Sequence, residues 1–161
     1  MVDFVLLAIA VQLYLSGPAD AGWQYTEWGM TPDQVIAASK GAVSHGEAKS
    51  SKDGRTLFLL RGDYAAGLFN FDASFGFDAG TNGLIVVSLT LKNGPVSRLT
   101  DSLIEKYGKP VNTELTGRMV RTTVWRDTKE NNVIRLFEIA AGDKSYILSY
   151  HPLQSRENEG L

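Results

Sequence analysis

Phe69-Asn70-Phe71-Asp72-Ala73-Ser74-Phe75-Gly76-Phe77-Asp78 decides what kind of fold this chain can make. Phe69, Phe71, Ala73, Phe75 and Phe77 recur at every second position, with Asn70, Asp72, Ser74 and Asp78 between them. A period of two with aromatics on one side marks a strand with one face in a core and the other in water. Asn82-Gly83 supplies a hairpin dipeptide just beyond it, and Leu84 to Lys92 (LIVVSLTLK) is a second strand-length run expected to return antiparallel. Upstream, Asp53-Gly54 is another hairpin dipeptide, and Thr56 to Leu60 (TLFLL) another apolar run of strand length.

Two helices are expected to flank these strands. Before them stands Met30-Thr31-Pro32-Asp33-Gln34-Val35. Thr31 suits an N-cap, Pro32 the first helical position, and Gln34, three residues on, completes a capping box. Met30 and Val35 occupy the staple positions, Asp33 complements the helix dipole, and the helix should end near Gly41. After them, Val96, Leu99, Leu103, Ile104 and Tyr107 form an apolar stripe at helical spacing, closed by Gly108 and Pro110. Further strands are expected near Met119 to Arg126, Val133 to Ile139 and Ser145 to Tyr150.

The order helix, strands, helix, strands leads to an expected α+β fold, with helices packed on one face of antiparallel sheet. Residues 22–153 should form a single domain of two pseudo-repeat units, about 22–94 and 95–153, each a helix followed by antiparallel strands. The final segment, 154–161 (QSRENEGL), has almost nothing to bury and reads as a flexible tail.

Residues 1–21 read as an export signal. Phe4 to Leu15 (FVLLAIAVQLYL) is broken only by Gln12 and is too short to span a bilayer, which takes about 20 apolar residues. Ala19-Asp20-Ala21 follows, an A-x-A pattern predicting cleavage between Ala21 and Gly22 and a periplasmic or secreted product. The start, Met1-Val2-Asp3, lacks the basic residue usual in such signals. Cleavage would remove Asp3 and Asp20 and leave equal numbers of acidic and basic side chains. With no Cys for acylation, no stable membrane anchor is expected after cleavage.

Composition narrows the chemistry. Zero Cys among 161 residues removes disulfides, thiol catalysis and thiolate metal sites. A net charge of −2 argues against a nucleic-acid partner, which needs a basic excess. With 43% hydrophobic and 21% charged residues the chain is an ordinary globular one rather than a disordered one.

Trp28-Gly29-Met30-Thr31-Pro32-Asp33-Gln34-Val35 resembles the W-G-M-[ST]-x-x-[EQ]-V helix opening of many small bacterial exported proteins. Its Gly-Met-Thr-x-x-Gln-Val part also looks like the start of the outer-membrane assembly lipoproteins of the SmpA/OmlA type. The fold of those lipoproteins is similar to the repeat unit of beta-lactamase inhibitory proteins, a helical segment on an antiparallel sheet. Tyr107-Gly108-Lys109-Pro110 resembles the helix exit of the same exported proteins. The resemblance implies an envelope protein and transfers no functional residue beyond the helix opening, whose role it makes structural.

His45 and His151 with Glu47 have the residue types of a zinc site, but their spacing does not bring them together, and no metal or cofactor is expected. Asp78-Ala79-Gly80-Thr81-Asn82-Gly83 mimics a calcium loop, yet Leu89 stands where a bidentate Glu is needed, so a hairpin turn is expected. Arg61-Gly62-Asp63 spells an adhesion tripeptide, placed at a strand end where turn chemistry accounts for Gly-Asp. Arg118, Arg121, Trp125, Arg126 and Arg135 interleave cations with an aromatic, either as a solvated sheet face or as a surface for an anionic polymer. Trp23, Tyr25 and Trp28 either pack as a leading strand over the core or form an exposed patch. The candidate partner surface is therefore Trp23, Tyr25, Trp28, Arg121, Trp125 and Arg126. The expected function is a non-catalytic binding or interaction module for another envelope protein or a small ligand. The alternative is a small periplasmic hydrolase using carboxylates, with Asp72, Asp78 and His151 as its residues.

Overall fold

The computed structural model describes residues 22–153. The export segment expected over 1–21 and the tail expected over 154–161 lie outside the described residues. The elements run α1 (Pro32–Ala38), β1 (Val43–Ser50), β2 (Thr56–Ala66), β3 (Phe69–Asp78), β4 (Leu84–Asn93), α2 (Leu99–Tyr107), β5 (Asn112–Thr116), β6 (Val120–Asp127), β7 (Asn132–Ile139) and β8 (Ser145–Pro152). A single 3-10 turn, Val96–Arg98, leads into α2.

All eight strands form one antiparallel sheet in the order β1-β2-β3-β4-β8-β7-β6-β5. This corrects the expected α+β architecture of two helix-then-strand units. Strand occupies 52% and helix 15% of the described residues, which are therefore sheet-dominated with two short helices attached. The capping box and the apolar stripe are strong local signals, but each governs only seven or nine residues. Two strands absent from the expectation, β1 and β5, add to the sheet instead.

Register explains the core. Phe69, Phe71, Ala73, Phe75 and Phe77 of β3 stand opposite Ala66, Tyr64, Gly62, Leu60 and Leu57 of β2. On the other side Phe71, Ala73 and Phe75 face Leu91, Leu89 and Val87 of β4. The row continues through Leu148 and Tyr150 of β8, Leu136 and Ile134 of β7, and Trp125 of β6. Val35 from α1 and Leu99 and Leu103 from α2 join these residues in one cluster, so both helices cover this core face. Phe75 and Phe77 are fully buried, each contributing about 1.5–3 kcal/mol by leaving water. Opposite, Asp63 and Asp72 hold Lys92 at 3.0 and 3.2 Å.

The Trp28–Val35 opening has a structural account. The Gln34 N–H donates to Thr31 Oγ1 (3.4 Å) and the Thr31 N–H to Gln34 Oε1 (2.9 Å), the reciprocal cap expected. Gly29, at φ +88, lies so close to Gly83 that a Cβ on Gly83 would sit 3.1 Å from the Gly29 Cα. That approach lets the Gly29 N–H donate to the Leu84 carbonyl (2.9 Å) and the Leu84 N–H to the Met30 carbonyl (2.8 Å). Trp28 turns inward and donates its indole N–H to Asn132 Oδ1 (2.9 Å), while Asn132 Nδ2 donates to the Gly22 carbonyl (2.9 Å). The segment before α1 is thereby stitched to β7, and it is irregular rather than the leading strand expected.

Arg61-Gly62-Asp63 lies inside β2, which runs to Ala66 rather than ending at Leu60. Gly62 is required there by packing: a Cβ would meet the Ala42 carbonyl oxygen at 2.5 Å. Turn chemistry is not its reason.

Candidate functional site

Helix α2 carries two stripes, each at i, i+4, i+8 spacing. Leu99, Leu103 and Tyr107 point into the core, and Arg98, Ser102 and Lys106 run alongside them on the neighbouring flank, Arg98 in the turn that enters the helix. The C-terminal end of α2 is tied to the sheet. Trp125 Nε1 donates to the Gly108 carbonyl (3.0 Å), and the Tyr107 and Tyr150 hydroxyls lie 3.1 Å apart. Toward its start, the helix stands off the β2–β3 hairpin and leaves a cleft of about 350 Å³.

The sheet supplies the floor and far wall of this cleft. Phe69 and Phe71 of β3, Leu89 of β4 and Leu148 of β8 give an apolar floor. Tyr64, Ala66, Gly67 and Leu68 form the wall across from α2, with Leu68 66% exposed at the hairpin tip. Pro95, Leu99 and Leu103 close the helix side, and Arg98, Ser102 and Lys106 supply its polar lip. Among the described residues, no carboxylate lines the cleft.

Trp23 backs this site. Its ring meets Tyr64 edge-on at 4.8 Å between centroids and lies 6.2 Å from Tyr150 and 5.9 Å from Phe75. The Tyr64 hydroxyl accepts a hydrogen bond from Gln24 Nε2 (3.0 Å), which leaves its own proton free to be donated. Burial, aided by the nearby Tyr107 and Tyr64 hydroxyls, pushes the Tyr150 hydroxyl well above the ordinary tyrosine range, so it stays protonated. Partial burial works against the Lys106 ammonium, but Tyr107, Tyr64 and the Asp127 carboxylate outweigh it and raise its pKa. Lys106 therefore keeps its charge, lying 5.0 Å over the Tyr107 ring.

The candidate partner surface from sequence does not assemble as one patch. Trp23, Trp28 and Trp125 are interior, at 4%, 9% and 0% exposure. Tyr25 is exposed and touches Trp23 edge-on at 6.1 Å. Arg121 shares the core face with Trp125 and faces Glu138 at 3.8 Å, whereas Arg126 and Arg135 project from the opposite face. Alternation along β6 and β7 separates the cations that sequence spacing had grouped.

The hydrolase candidates are likewise apart. Asp78 Oδ1 accepts from the Thr81 N–H (2.7 Å), the Gly80 N–H (3.0 Å) and the Thr81 hydroxyl (3.1 Å), which holds its pKa below the usual carboxylate value. That is turn chemistry, and its direction is opposite to that of a general acid. Asp72 is engaged by Lys92, and the His151 ring lies 3.1 Å from the Ser149 hydroxyl. His45 and His151 sit on β1 and β8, four strands or roughly 19 Å apart across the sheet. Among the described residues no three His, Asp or Glu side chains gather as a metal site. No helix among them is long and apolar enough to cross a membrane.

The chain matches no family model, no curated protein and no solved structure.

The cleft has little footprint in the sequence because four separated stretches build it, from Tyr64 to Tyr150. One signal was present: the Arg98, Ser102, Lys106 spacing beside an apolar stripe marks a helix with a charged lip next to its buried face.

Proposed function

We propose that this chain is an exported, non-catalytic binding module, and that it takes an apolar small molecule in the cleft between α2 and the sheet. Export rests on the apolar run Phe4 to Leu15 with Ala19-Asp20-Ala21 after it, and on the resemblance of Trp28–Val35 to exported proteins. The observation that carries binding is the cleft itself: about 350 Å³, walled by Phe69, Phe71, Leu89, Leu99, Leu103 and Leu148, with a few convergent polar groups at its lip. Small-molecule sites have this composition, and 350 Å³ lies in the lower part of their size range. A carboxylate hydrolase is disfavoured because, among the described residues, no acid lines the cleft and Asp72, Asp78 and His151 are each engaged elsewhere.

The test is titration of the full chain with the neutral apolar dye N-phenyl-1-naphthylamine. Saturable enhancement of dye emission, abolished by Ser102→Trp, supports the reading. Ser102 is exposed on α2, so the larger ring fills the cleft without entering the core. Dye emission that fails to saturate, or that persists in Ser102→Trp, overturns it. Export is tested separately by fractionating the producing cell: recovery of a product beginning at Gly22 in the envelope supports it, and recovery in the cytosol of a product beginning at Met1 refutes it.

A further inference from the structure

We infer that the occupant of the cleft is a single-chain amphiphile with one anionic head, a long-chain fatty acid. The inference rests on the cleft being the ligand site. Its first support is the arrangement of α2, whose inner stripe, Leu99 and Leu103, offers an alkyl chain a wall. The adjoining flank sets Arg98, Ser102 and Lys106 along the mouth. An alkyl chain lying against the first stripe brings its head to the second.

The second support is charge. Every polar side chain lining the cleft is a cation or a hydroxyl: Arg98, Lys106, Ser102, Tyr64 and Tyr150. Tyr64 and Ser102 can donate, while the buried Tyr150 hydroxyl pairs with that of Tyr107. Of the acidic groups, Asp127 acts on Lys106 from outside the lining, and its Oδ1 accepts from the Lys129 (3.1 Å) and Glu130 (3.3 Å) N–H groups of its own turn. A neutral alcohol would leave the positive charge along the mouth uncomplemented by the ligand, whereas a carboxylate matches it. Size is the third support. At about 350 Å³ the cleft lies at the small end of ligand sites, which suits one acyl chain rather than two.

The experiment displaces the naphthylamine dye from the full chain with tetradecanoate and with tetradecanol, at about pH 8 where the carboxylate is ionised. Tryptophan emission of the chain serves as a second readout because the Trp23 ring packs behind Tyr64 and Tyr150. Tetradecanoate is expected to bind about tenfold more tightly than tetradecanol. Arg98→Gln with Lys106→Gln should bring that ratio to about one, and Arg126→Gln, on the opposite sheet face, should leave it unchanged. Saturable dye binding with equal affinity for acid and alcohol overturns this inference while leaving the ligand site in place. Absence of saturable dye binding removes both. A chain that dimerises, becomes monomeric with Ser102→Trp and ignores tetradecanoate would assign the cleft to a second copy, and the inference would fall. Preference for vesicles of a two-chain anionic lipid over tetradecanoate would also overturn it.

Discussion

Replacing Trp125 by Phe tests whether α2 is held to the sheet from its C-terminal end. Trp125 is fully buried in β6, and its indole N–H donates to the Gly108 carbonyl just past the helix. Phe removes that donor and orphans a partly buried carbonyl, a loss of about 1–3 kcal/mol. Phe also has three fewer ring atoms than the indole and leaves a void at the far end of the side chain, which costs at least the ~1 kcal/mol of a methyl-sized one. Together the change should destabilise the fold by about 2–4 kcal/mol, lowering the thermal midpoint by about 4 °C for each kcal/mol. Urea denaturation gives the total, and amide hydrogen exchange gives its location: residues of α2 should lose protection before those of β3. A loss below about 0.5 kcal/mol would show that the bond contributes little. A full loss with α2 and β3 opening together would show that Trp125 supports the core without tethering the helix.

Two other outcomes follow from packing and ionisation. Gly62→Ala should cost about 1–3 kcal/mol, because the added Cβ lands 2.5 Å from the Ala42 carbonyl and 3.1 Å from Val43 Cγ2; hydrogen exchange should show β1 loosening first. Tyr150 has a raised pKa in the fold, so its contribution is complete below the unfolded tyrosine value of about 10 and is lost as pH rises through the higher folded value. Wild-type stability should therefore fall above about pH 10, and Tyr150→Phe should make that fall shallower in pH-dependent urea melts. Lys106, also raised, contributes in the same direction and accounts for some of the slope that remains.

What could be read from the chain depended on whether a segment had to bury one side. The β3–β4 hairpin was legible because its phenylalanines line a core and Asn82 takes the left-handed backbone, φ +58, at its turn. The cap on α1 was legible because Thr31 and Gln34 satisfy each other locally. The two outermost strands were not. In β1 only Val43 is buried, and every residue of β5 is exposed, so neither carries an alternating apolar signal. Missing them made the helices seem a larger part of the fold than they are. The tryptophans show the same limit in another form. Trp28 at an irregular stretch has no periodicity to tell core from surface; its fate is decided by Asn132, over a hundred positions away. A site assembled from hairpin, helix and last strand has no footprint along the chain beyond the charged flank of α2.

The seam between β4 and β8 has a consequence for how the molecule comes into being. Val87 to Thr90 pair with Tyr150 to Ile147, so the middle of the sheet is closed by residues about sixty positions apart. During synthesis or translocation, every stage that ends short of Ile147 leaves the hydrogen-bonding groups of Val87 to Thr90 without their final neighbour. Such a rim is an adhesive template for other incomplete chains. Premature termination late in the message should therefore yield insoluble material rather than a working first half, and a holding chaperone would have its principal task at this strand.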